Sequence, residues 1–167
     1  IITTTGYATV DFALWPSFSK TILLCLMVVG ASAGSTGGGL KVARLLLLVK
    51  GTRRNIRKML NPRKVELIRN NGSVVNEQIL ENTNAYLAAY VIILFVSFLA
   101  VSLDNFSTTT NLTAVIACFN NIGPGLNMVG ATGNFSEFSF LSKLVLIADM
   151  LLGRLEIFPL LLAKLML

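Results

Sequence analysis

Polar and apolar residues fall into blocks along this chain, and the block lengths carry the first information. Residues 22–33 are predominantly apolar and uncharged. A hydrocarbon core of about 30 Å needs about 20 helical residues, so this block cannot cross one alone. It is interrupted by Gly34-Ser35-Thr36-Gly37-Gly38-Gly39, after which helix-compatible residues resume over 40–49. Each glycine costs a helix about 1 kcal/mol relative to alanine, so the backbone is predicted to unwind here. Unwound backbone at membrane depth is tolerated only inside protein or against a water-filled cavity, which places the break beside a permeation path.

A second block, 85–103, has only Ser97 and Ser102 as non-aromatic polar members. As a helix it spans about 28 Å, enough to cross a membrane. Tyr86 and Tyr90 lie near one end, suited either to the interface or to packing against neighbouring helices. Asp104-Asn105 and Ser107-Thr108-Thr109-Thr110 then offer caps for a short helix over 112–120, too short to span. It reads as a re-entrant pore helix whose negative C-terminal end points at the following loop; an extracellular helix and loop is the other reading. The last block, 138–167, contains Lys143, Asp149, Arg154, Glu156 and Pro159. Lys143 lies near the outer end, but a charge near membrane mid-depth costs at least about 2.5 kcal/mol, so Asp149, Arg154 and Glu156 should face a cavity or a partner. Asp149 and Arg154 either compensate each other or leave Arg154 facing an ion pathway.

Two further stretches share a pattern. Thr3-Thr4-Thr5-Gly6-Tyr7-Ala8-Thr9 and Asn120-Asn121-Ile122-Gly123-Pro124-Gly125-Leu126 each centre a glycine after small or amide residues, near an apolar helix. Such loops can aim several backbone carbonyls at one point, which holds a cation without a carboxylate cage. After the first of them, Trp15-Pro16 joins an interfacial aromatic to a residue suited to a helix start, a membrane entry point.

Composition supports a lipid-solvated chain: 54% of the 167 residues are hydrophobic and 13% charged, with a mean hydropathy of +0.72. Charge is concentrated in residues 50–69, which hold eight of the 14 Lys and Arg residues and one acid. A short basic segment between apolar blocks belongs on the cytoplasmic side. No aromatic residues are interleaved to stack bases, so nucleic acid is not the expected partner; anionic lipid or a protein is. The chain has no histidine, which removes the commonest general base and zinc ligand. Cys25 and Cys118 sit in apolar runs without CxxC spacing and read as small buried hydrophobes. The glycine-rich break fails as a nucleotide-binding loop because Leu40, Lys41 and Val42 follow Gly39 where Lys and Ser or Thr are needed. The chain is therefore expected not to be an enzyme and to hold no cofactor. It does not open on Met, and a piece of a longer protein is expected.

Four motifs, in order, resemble those of the TrkH/KtrB potassium-uptake subunits: Thr3 to Thr9, Ala33-Gly34-Ser35-Thr36-Gly37-Gly38-Gly39-Leu40-Lys41, Asn120 to Leu126, and Gly153-Arg154-Leu155-Glu156. The resemblance implies an all-α membrane protein of helix–pore-helix–helix repeats with re-entrant filter loops and one broken transmembrane helix. It implies four such repeats around one pseudo-fourfold pore, with this C-terminal fragment covering the end of repeat three and all of repeat four. The corresponding divisions are 1–49 for the repeat-three filter and broken helix, 50–76 for a basic cytoplasmic linker, and 77–167 for repeat four. Thr4, Thr5, Gly6 and Tyr7 would form the third K+ filter strand and Asn121, Ile122, Gly123 and Pro124 the fourth. Gly34, Ser35, Thr36, Gly37, Gly38 and Gly39 would form an intramembrane gate faced by Arg154. Ala31 stands where a second glycine is common in the family, and Asn61 and Arg63 where His-Pro-Asn often occurs. The implied function is K+ uptake across the inner, cytoplasmic membrane. The implied partners are the lipid bilayer, the N-terminal repeats of the same chain, a second copy in a homodimer and a cytoplasmic nucleotide-binding regulatory ring. A broken-helix secondary transporter coupled to sodium or protons explains the glycine break equally well, but not a re-entrant helix before the Gly123 loop.

Overall fold

The computed structural model describes residues 1–30, 39–61, 68–70 and 73–154. Among these residues lie five α-helices: α1 (Ser17–Val28), α2 (Val42–Leu60), α3 (Glu77–Val101), α4 (Thr108–Phe119) and α5 (Phe140–Arg154). A small antiparallel hairpin, β1 (Arg69–Asn70) with β2 (Ser73–Val74), lies between α2 and α3. The fold is thus mostly helical, as expected.

Entry into α1 is set locally. The Asp11 carboxylate accepts from the Ala13 N–H at 2.9 Å, closing a short 3-10 turn, Phe12–Leu14, and Pro16 then caps the helix with an extended backbone. The helix ends at Val28 because Val29 turns extended and pairs in parallel with Leu40. The Gly30 N–H donates to the Leu40 carbonyl at 2.9 Å, and the Leu40 N–H to the Val28 carbonyl at 3.4 Å. The two ends of the chain break are therefore clamped side by side. Of the predicted gate, Gly39 is described, whereas Gly34, Ser35, Thr36, Gly37 and Gly38 lie outside the described residues, as does Glu156.

The basic segment is helical over residues 50–60, where α2 continues to Leu60. Lys and Arg are good helix formers, and Arg57 and Lys58 in the last turn complement the negative end of the helix. Arg54 also reaches Glu77 in the first turn of α3, at 2.8 Å. That pair is solvent-exposed on the Glu side and worth no more than about 1 kcal/mol, so it orients the two helices more than it stabilises them.

Helices α3 and α5 are arranged inside out. On α3, Val91, Ile92, Phe95, Val96 and Leu99 are exposed while Ser97 is buried; on α5, Leu141, Leu144, Ile147 and Leu151 are exposed while Ser142 and Asp149 are buried. Water would drive the opposite distribution, so these apolar faces suit lipid or the remainder of a longer chain, and the polar groups make helix contacts. At 25 residues α3 is about 37 Å long, ample for a hydrocarbon core. Continuing through Asp104, it is the one helix among the described residues long and apolar enough to cross a membrane.

At the centre lies α4. Nine of its twelve residues are buried, including Thr110, Asn111 and Thr113. At about 18 Å it cannot span, and it is enclosed by α1, α3 and α5. Val115, Cys118 and Ala114 pack with Val101, Val129 and Leu146 on one side, and Ile116 and Ala117 with Met27 on another.

Candidate functional site

Two loops meet at the C-terminal end of α4. The helix opens with the Ser107 hydroxyl accepting from the Thr110 N–H at 3.3 Å. It closes in a Schellman motif: the Asn121 N–H donates to the Cys118 carbonyl at 3.0 Å and the Ile122 N–H to the Ala117 carbonyl at 2.8 Å. This motif needs a left-handed residue, and Asn121 supplies it at φ 55°; asparagine tolerates that conformation better than most residues. Gly123 follows at φ +100°, a backbone that favours glycine. The loop then folds back on α4, with the Leu126 N–H donating to the buried Thr113 hydroxyl at 3.0 Å.

The first loop repeats this backbone. Thr4 is left-handed at φ 54° and Gly6 has φ 77°, with the intervening Thr5, like Ile122, not positive. The Thr4 N–H donates to the Ile1 carbonyl at 3.0 Å, the counterpart of the bond from Asn121 to Cys118. Thr3 and Thr5 share a hydroxyl–hydroxyl hydrogen bond at 2.9 Å. The loops also touch: a Cβ placed on Gly6 would stand 2.6 Å from the Ile122 carbonyl oxygen and 3.4 Å from the Pro124 ring. A Cβ on Gly123 would meet nothing within 4 Å. Ile122 is buried, while Tyr7 is 92% exposed.

Helix α5 presses on this end of α4. The Asn121 side-chain amide donates to the Met150 carbonyl at 3.2 Å, and a Cβ on Gly153 would fall 1.7 Å from the Phe119 carbonyl oxygen. Arg154, the last described residue of α5, is exposed directly after that contact. Asp149 is not its partner. The Asp149 carboxylate is buried and accepts from the Ser97 hydroxyl at 2.6 Å. Side chains five apart on a helix point to different sides, whereas those three or four apart meet, which is why this compensation does not form.

Several residues of the site make contacts that their sequence reading did not specify. Tyr90 is buried, the packing alternative of the two readings; its hydroxyl donates to the Asn120 side-chain oxygen at 3.0 Å and its ring meets Phe119 edge-on at 4.9 Å. Tyr86 lies beneath the Arg44 guanidinium, 4.2 Å from ring centroid to Cζ. Gly39, at φ +82°, sits against the same Asn120 amide. The doubled asparagine at 120–121 was the available signal: the first caps and anchors the helix end, and the second takes the left-handed turn after it. Among the described residues no cluster of three His, Cys, Asp or Glu side chains is placed to hold a metal. The oxygens at the loops are those of carbonyls, hydroxyls and amides.

Helices with apolar outer faces, wrapped around a buried helix too short to span, define an integral membrane protein. The chain belongs to the TrkH family, whose profile, described as TrkH: Cation transport protein, matches residues 2–167. It is similar to the Trk system potassium uptake protein TrkH of Escherichia coli K12, with 41% identity over 95% of this chain and 32% of that protein. The Escherichia coli protein TrkG is 31% identical over 95% of this chain and 32% of its own length. The crystal structure of the potassium transporter TrkH from Vibrio parahaemolyticus superposes with a TM-score of 0.86 at 38% identity, covering 96% of this chain and 34% of that one. The chain thus spans about a third of the length of the curated relatives it matches.

Proposed function

We propose that this chain supplies two of four filter strands, and the gate beneath them, in a pore for K+ uptake across the cytoplasmic membrane. The observation that carries the reading is the repeated backbone. Left-handed and then glycine positive-φ residues recur two apart, at Thr4 and Gly6 and at Asn121 and Gly123, in loops that touch. Alternating the sign of φ turns successive carbonyls toward one side, so Thr4, Thr5, Gly6 and Tyr7 form one strand of carbonyl ligands and Asn121, Ile122, Gly123 and Pro124 the next. Such ligands replace the hydration shell of K+. The negative end of α4 adds a favourable potential for a cation at this point. Gly6 rests on its neighbouring strand, whereas the equivalent face of Gly123 is open; a pseudo-fourfold pore seats the next strand there, from the N-terminal repeats.

Below the filter, residues 34–39 form the gate and Arg154 bears on it. The junction Gly30 to Leu40 supports that placement, because it pins the ends of the break together at the base of α4. The basic end of α2 faces the cytoplasm and meets anionic lipid or a nucleotide-binding regulatory ring, and the complete subunit works as a homodimer. The test is ion uptake by the complete protein in liposomes: Gly123→Ser should lower K+/Na+ discrimination, because it strains a backbone-lined site. Unchanged discrimination at normal uptake would refute the filter assignment.

A further inference from the structure

We propose that Asn120 is a positioning residue that couples the exit of the chain break to the fourth filter strand; the proposal rests on the pore reading above. Asn120 is 1% exposed and caps α4 directly before Asn121, the left-handed residue that starts the strand. Its own N–H is held by the Ile116 carbonyl at 3.0 Å, so its backbone moves only with the end of the helix. From this fixed point the side chain reaches two elements. On one side its oxygen accepts from the Tyr90 hydroxyl of α3 at 3.0 Å. On the other, a Cβ on Gly39 would stand 3.0 Å from that oxygen and 3.3 Å from the amide carbon.

Gly39 is not free to move alone. The next residue, Leu40, is bonded to Gly30 and Val28, and Gly30 lies 3.4 Å from the same Cβ position. A displacement of the two pinned ends therefore bears on the Asn120 amide, and through it on Asn121. The amide nitrogen adds a second observation: it is buried and has no hydrogen-bond partner. A buried donor left unsatisfied costs free energy, and a shift that carried a carbonyl onto it would recover that cost. One hydrogen-bonding state of Asn120 is seen, with its amide nitrogen unsatisfied; a second, with that nitrogen bonded, would be linked to the position of Gly39, and such a pair is what a two-state coupling element requires.

Tyr90→Phe isolates the idea. It keeps the ring packed with Phe119 and Leu40 and removes only the hydroxyl that orients the amide. The experiment is rubidium uptake, per folded protein, by the complete chain in liposomes without regulatory partners. Tyr90→Phe and Asn120→Ala are each expected to raise uptake about fivefold, the equivalent of one buried hydrogen bond. The double variant should match the single ones, and Gly39→Ala should change uptake less in the Asn120→Ala background than alone. Wild-type uptake in Tyr90→Phe while Gly39→Ala alters it, or effects that multiply in the double variant, would overturn the coupling. Should Asn120→Ala fail to fold, the pair Tyr90→Phe and Gly39→Ala still decides. Absence of rubidium uptake by the unsubstituted protein would overturn the pore reading, and this proposal with it.

Discussion

Replacing Gly153 by alanine is the sharpest structural perturbation available. A Cβ there would lie 1.7 Å from the Phe119 carbonyl oxygen and 3.1 Å from the Asn121 side-chain nitrogen. Ordinary contact begins near 3.4 Å, so α5 must retreat by roughly 1.5 Å, since the backbone of α4 is held on all sides and cannot yield. Overpacking of this kind costs about 1–3 kcal/mol. The retreat also breaks the bond from Asn121 to the Met150 carbonyl, now 3.2 Å, for about 1 kcal/mol more. Thermal unfolding of the purified complete protein should fall by several degrees, and K+/Na+ discrimination should fall with it if Asn121 starts the proposed filter strand. Gly51→Ala is the control. Its Cβ would meet only the tip of the Leu80 side chain, at 3.2 Å, and alanine favours the helix by about 1 kcal/mol. Wild-type stability and discrimination in Gly153→Ala would refute the reasoning.

Three other substitutions test separate parts of the account. Thr113→Val removes the hydroxyl that the Leu126 N–H donates to, and leaves that buried N–H unsatisfied at a cost of about 1–3 kcal/mol; the loss should appear as lower thermal stability, whereas Thr113→Ser should retain most of it. Ser97→Ala strips the buried Asp149 carboxyl of its hydrogen bond and should destabilise by a similar amount, about 1–3 kcal/mol, measured the same way. Arg154→Ala should raise basal K+ uptake severalfold at unchanged stability; a variant that lost stability with no rise in uptake would assign Arg154 to helix packing.

Much of the fold was legible because lipid imposes length. The apolar span over 85–103 and the short helix at 112–120, which correspond to α3 and α4, follow from how many residues cross a hydrocarbon core. The helix caps were legible too: Ser107 sits where short polar residues favour a helix start. What the pattern hid was direction. The basic run after Lys50 reads as a linker by charge, yet charge does not end a helix, and α2 absorbs it to Leu60. Asp149 and Arg154 suggest a pair by sign, but helical geometry sends Asp149 to Ser97 on α3. Gly153 and Asn120 matter through contacts with elements distant in sequence, and no local pattern reports a carbonyl 1.7 Å from an absent Cβ. The glycine loops were recognisable in outline; that both place a left-handed residue two before the glycine was not, because Thr4 and Asn121 share no composition signal for it.

The central claim is that the backbones around Gly6 and Gly123 jointly hold the transported ion. An anomalous-scattering map of the complete protein crystallised with rubidium tests it most directly. An ordered ion is expected between the two loops, ligated by backbone carbonyls of residues 4–7 and 121–124. An ion seated instead at the Asp149 carboxyl, or no ordered ion between intact loops, would contradict it.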